Sequence, residues 1–157
     1  MRLTALVFAA TLATTLAATA ATPALAGAPE DAAIAPMHTF IDNMNKGDMK
    51  AAAAAYSADA AIVDEFTPYR WTGPQAFAAW GKDFGAYAKA GAITEPRIDL
   101  SAPKSVMITG NHAYAVIPCV FAYKAKGKAE AEPGMFTVVT VKDGNGWKIS
   151  AWAFTAK

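Results

Sequence analysis

The residues best suited to chemistry fall in one short stretch, Asp64 and Glu65 followed by Tyr69 and Trp71. The carboxylates are expected on a strand running from Ala60 to Phe66, where neighbouring side chains point to opposite faces. Only one of them can then face a given interior, and the two are not an acid/base dyad. A carboxylate against apolar walls is desolvated, which moves its pKa up towards the range useful to a general base. In the competing reading the inward carboxylate is structural, satisfied by a Tyr hydroxyl, by Arg70 or by a backbone N–H. Tyr69 is the hydrogen-bond donor nearest to this stretch, and Trp71 either lines a pocket or packs on the helix that follows. Tyr56, Trp80, Phe84 and Tyr87 are aromatic positions that either contact a ligand or belong to the core.

Other chemistries find little support. Two His, at 38 and 112, and one Cys, at 119, make no metal-ligand set, and no metal or cofactor is expected. Cys119 lies in an apolar strand without a local base and reads as a small buried hydrophobe. Lys124, Lys126 and Lys128 are answered by Glu130 and Glu132 and form a solvated hairpin. No Gly-rich phosphate loop or serine-nucleophile motif occurs. The 157 residues carry 14 Lys and Arg against 13 Asp and Glu, so the basic excess needed for nucleic-acid binding is missing. One domain is the natural reading of this length.

The first 26 residues read as an address. A positive start at Arg2 is followed by an apolar run from Leu3 to Leu16, and Ala24-Leu25-Ala26 puts small residues where a signal peptidase cuts. The strongly apolar run is shorter than the roughly 20 residues that span a bilayer. Cleavage after Ala26 and a periplasmic or secreted location are therefore expected, with no membrane span.

Residues 27–35 read as a polar lead, with Pro36 in a first helical turn. Met37, Phe40, Ile41 and Met44 then form an amphipathic stripe ending at Gly47. Asp48 caps a second, Ala-rich helix running to Tyr56. Thr72-Gly73-Pro74 opens a third, which carries Phe77, Trp80, Phe84 and Tyr87 on one face up to Gly91. Four strands follow, Arg97–Thr109, His112–Lys126, Met135–Lys142 and Trp147–Ala156, separated by turn residues and paired antiparallel. Helices segregated on one side of such a sheet make an α+β domain over residues 36–157. The last three strands are apolar on both parities. One face is left over after helix packing, and a homodimer through the outer sheet face is expected to cover it.

This order of elements, the turn Asn45-Lys46-Gly47-Asp48, the strand Ala60–Phe66 and the closing Gly146–Trp152 resemble the nuclear transport factor 2-like superfamily, in particular its SnoaL-like and ketosteroid-isomerase-like bacterial proteins. The resemblance implies a cone, a curved antiparallel sheet wrapped around three helices with a pocket inside. The segment Asp64 to Gly73 (D-E-F-x-P-Y-x-W-x-G) is similar to that of a group of exported members. By this resemblance the isomerase's carboxylate base falls on Glu65, its helical Tyr on Phe40 and its late Asp near Val138. Both enolate-holding donors are thus absent, and losing even one costs about 100–1,000-fold. Steroid isomerisation is not expected. The function expected first is an exported protein that holds a small apolar or aromatic molecule in the cone. Its alternatives are a cofactor-independent isomerase, dehydratase or cyclase with Glu65 or Asp64 as base and Tyr69 as donor, and a structural or protein-docking module.

Overall fold

The computed structural model describes residues 28–144 and 146–157; the segment read as a signal peptide lies outside them. Helix α1 spans Ala28–Lys46, with Glu30 and Asp31 in its first turn and Lys46 in its last, each charge favourably placed on the helix dipole. Its stripe of Ala33, Ile34, Met37, Phe40 and Ile41 is buried. The helix starts well before Pro36, so residues 28–35 are no polar lead and the proline sits in the helix interior. An interior proline costs about 3 kcal/mol, and burying Ile34 and Met37 offsets it at roughly 1.5–3 kcal/mol each. The Thr140 hydroxyl also donates to the Ala33 carbonyl at 2.8 Å.

Helix α2 (Met49–Ala53) is capped by the Asp48 carboxylate, which accepts from Ala51 N at 2.9 Å. It stops before Tyr56, which opens strand β1 (Tyr56–Val63). Local alanine propensity loses here to sheet pairing, since Ile149 N donates to the Ala55 carbonyl at 2.8 Å. Strand β1 ends at Val63 rather than Phe66, and Arg70–Thr72 forms a short β2 antiparallel to it. Helix α3 (Ala76–Ala90) buries Ala76, Phe77 and Trp80.

The expected single strand from Arg97 is two, β3 (Ile93–Leu100) and β4 (Ser105–Thr109), both paired to β5 (His112–Ala125). Strand β6 (Lys128–Asp143) begins directly after a two-residue turn at Lys126 and Gly127, both with positive φ (51° and 78°). Such a turn matches the twist of the flanking strands, so the expected Lys/Glu hairpin is present, with strand running up to its two-residue turn. With β7 (Gly146–Ala156) the sheet runs β2-β1-β7-β6-β5-β3, antiparallel except for the β1–β7 pair. The result is an α+β cone whose curved sheet wraps the helices.

The inner face packs Ala115, Ile117 and Cys119 of β5 with Phe136 and Val138 of β6 and Trp152 of β7. The outer face carries Tyr114, Val116 and Pro118 opposite Val139, Thr137 and Met135, flanked by the 58%-exposed Met107. Among the described residues Met107 and Tyr114 stand exposed on this face and the others are half-buried.

Candidate functional site

The cone holds a cavity of about 100 Å³. Helix α1 contributes Phe40, Met44 and Asn45 to its wall, and α3 contributes Trp80, Phe84 and Tyr87. The loop after β1 brings Asp64, Glu65 and Phe66, and β3 brings Pro96, Arg97 and Ile98. The long strands supply Phe121, Glu132, Phe136, Trp152 and Phe154. The rings pack at many angles. Trp80 stacks on Phe84 (5.4 Å, 13°) and meets Trp152 edge-on (5.5 Å, 84°).

Two backbone devices shape the wall. Asn45 donates from Nδ2 to the Ile98 carbonyl (2.7 Å) and accepts the Ile98 N–H (2.9 Å). Its amide thereby acts as a strand partner on the free edge of β3 and fixes the end of α1 to the cavity rim. At residue 134 a Cβ would lie 2.5 and 2.8 Å from ring atoms of Phe154, so only glycine lets that ring lie flat against β6.

Asp64 is the inward carboxylate. Its Oδ2 accepts the Trp80 indole N–H at 2.8 Å and its Oδ1 accepts the Glu65 N–H at 2.8 Å. Burial raises its pKa, the two hydrogen bonds oppose the rise, and the nearby Glu65 charge adds to it. The expectation that Glu65 takes this place is corrected. Because β1 ends at Val63, strand alternation does not govern the pair. The loop instead closes with Tyr69 at φ 69°, Tyr69 N donating to the Phe66 carbonyl (2.8 Å) and Asp64 N to the Tyr69 carbonyl (3.2 Å). Glu65 is exposed at the rim, where Oε1 accepts the Ala156 N–H at 2.7 Å and pins the end of β7.

Of the other candidates, Trp80, Phe84 and Tyr87 line the cavity and three do not. Tyr69 is 57% exposed and outside the wall, so it offers the pocket no donor. Trp71 is buried and donates to Asp83 Oδ2 at 2.8 Å, which ties β2 to α3. Tyr56 stacks on Phe77 (5.1 Å, 23°), its hydroxyl accepts the Trp152 indole N–H at 2.7 Å, and burial drives its pKa upward. Phe40 lines the cavity where the isomerase comparison puts a Tyr, whereas Val138 is buried on the inner face outside the wall.

Burial pushes the Cys119 thiol up to about 11, so it is no ready nucleophile. Among the described residues no three His, Cys, Asp or Glu gather as a metal site, and no helix is long and apolar enough to cross a membrane. The wall residues missed in the sequence, Phe121, Phe136 and Phe154 above all, share the inner strand parity. That parity was their only signal, and the curvature that brings them to one cavity left none.

A curved sheet around helices, with an aromatic cavity and one half-buried inward carboxylate, defines a cone-shaped α+β fold. The chain belongs to the SnoaL-like domain family, whose model matches residues 34–154. Similar solved structures include a ketosteroid isomerase-like protein from Erwinia carotovora atroseptica (13% identity, 83% of this chain and 97% of that one, TM-score 0.64). A nuclear transport factor 2-like protein with a cystatin-like fold from Novosphingobium aromaticivorans is similar over 82% of both chains (14% identity, TM-score 0.65). The CaMKII hub of S. rosetta matches 83% of this chain and 98% of its own (18% identity, TM-score 0.66). At these identities the likeness is one of fold. No curated protein matches the sequence.

Proposed function

We propose that this chain is an exported protein that holds a small, largely apolar molecule in the cone. The observation that carries the reading is the cavity wall, in which aromatic rings surround the inward carboxylate of Asp64, with Glu65 and Glu132 at the rim. Apolar walls with few polar groups are the usual make-up of a binding pocket. Export rests on the Arg2, Leu3–Leu16 and Ala24-Leu25-Ala26 pattern. The uncovered face around Met107, Tyr114, Val116 and Val139 supports a homodimer through the outer sheet.

A second reading, a cofactor-independent isomerase, dehydratase or cyclase, is favoured by one observation, the upward-shifted Asp64 carboxylate among apolar walls. In that case Asp64 is the base. Both indole donors of the wall are already engaged, that of Trp80 by Asp64 and that of Trp152 by Tyr56. Binding without turnover therefore comes first. Native mass spectrometry of the full chain, expressed in a bacterium and purified gently from its periplasm, tests all three parts. A dimer starting at Gly27 and carrying a discrete extra mass is expected. A monomer refutes the sheet-to-sheet pairing, an unprocessed chain refutes export, and a bare cone that takes up no small aromatic probe refutes the pocket.

A further inference from the structure

The charges around the cavity are unbalanced in a way that an apolar ligand alone does not answer. Asp64, Glu65 and Glu132 all line it, and among the described residues Arg97 is the only cation that does. The Arg97 guanidinium is already held by Asp99 at 2.7 Å. The three carboxylates are met by neutral donors only. These are the Trp80 indole (2.8 Å) and the Glu65 N–H (2.8 Å) for Asp64, the Ala156 N–H (2.7 Å) for Glu65, and the Tyr123 hydroxyl (2.6 Å) for Glu132. Among the described residues no Lys, Arg or His lies within ion-pair distance of any of them.

Nine of the seventeen lining residues are aromatic. A ring face carries the negative end of its quadrupole, so a cage of rings attracts a cation, most strongly where water is excluded. The carboxylates favour a cation as guest and disfavour an anion, and a ring face turned to that guest adds to the same preference. The cavity, about 100 Å³, is smaller than the roughly 150 Å³ that holds a benzene molecule, and so it suits a compact head better than a fused ring system.

We propose that the ligand is a cation: a small alkylated or quaternary ammonium group seated among the rings, with Asp64 as its counter-charge and Glu65 and Glu132 at the rim. This rests on the reading that the cavity binds a small molecule. It narrows the ligand from apolar to apolar and positively charged. Burial disfavours the Asp64 carboxylate, and the attraction of a cation lying alongside offsets that cost.

The test uses the whole processed chain and four probes of similar size, followed by calorimetry and by the fluorescence of Trp80 and Trp152. The probes are choline, its neutral isostere 3,3-dimethylbutan-1-ol, the anion 3,3-dimethylbutanoate, and toluene. Choline is expected to bind about tenfold more tightly than the neutral isostere, and the anion more weakly than both. Glu132→Gln should weaken choline a few-fold, and more than it weakens the neutral isostere. Asp64→Asn should reduce the preference for choline more than Glu132→Gln does. If the isostere or toluene binds as tightly as choline, or the anion binds best, the charge inference is overturned and the pocket stands. If none of the four binds, the pocket reading falls with it.

Discussion

Replacing Trp80 by Phe removes the only side-chain donor that reaches Asp64 in the described structure, the indole N–H at 2.8 Å. The phenyl ring keeps most of the stacking on Phe84 (5.4 Å) and Phe77 (5.9 Å). The packing loss is then about 1 kcal/mol and independent of pH. The lost hydrogen bond is not independent of pH. To an ionised carboxylate it contributes about 1.5–3 kcal/mol, and to a neutral carboxyl about 0.5–1.5 kcal/mol. Burial already raises the Asp64 pKa in the folded state. The stability linked to this group is therefore full below its unfolded pKa and declines as the pH rises through the folded value. Removing the indole raises the folded value further. The variant should lose about 2.5–4 kcal/mol well above the folded value and clearly less at pH 3, where the carboxyl is protonated. Urea unfolding of wild type and Trp80→Phe at pH 3 and pH 8 measures the difference. Combining the change with Asp64→Asn should show that the two losses are not additive. Equal losses at both pH values, or simple additivity, would refute the bond as the organising contact of the site.

Two further expectations concern the frame of the cavity. Asn45→Ala leaves the Ile98 N–H and C=O without their side-chain partner and should cost about 1–3 kcal/mol, with faster hydrogen exchange at the Ile98 amide than anywhere else on β3. Gly134→Ala brings a Cβ to within 2.5 Å of the Phe154 ring and forces it to move. A loss of about 1–3 kcal/mol in thermal unfolding is expected, together with altered probe affinity, since Phe154 lines the cavity. Unchanged affinity would place Phe154 outside the functional wall.

How much of this was legible beforehand differs from element to element. The buried stripe of α1, the Asp48 cap and the positive φ of Gly47 (75°) follow from local pattern, because each depends on residues a few positions apart. Strands β5 and β7 were legible from runs of apolar and β-branched residues. The extent of the hairpin was not, because the Lys and Glu of 128–133 read as its turn until Lys126 and Gly127 pair the segment with β5. Likewise Arg70–Thr72 is too short to signal a strand alone and exists as one only beside β1.

By itself the sequence determined the fold class and the family. Only the tertiary structure decided which carboxylate turns inward. The exchange of Glu65 for Asp64 depends on where β1 stops and on an indole sixteen positions away. It also decided that Tyr69 and Trp71 stand outside the cavity while Phe121, Phe136 and Phe154 stand inside. The physical reason is one of range. Periodicity and capping act within a turn or a strand, whereas a pocket wall is set by the curvature of a sheet whose paired strands lie far apart in sequence, with β1 beside β7.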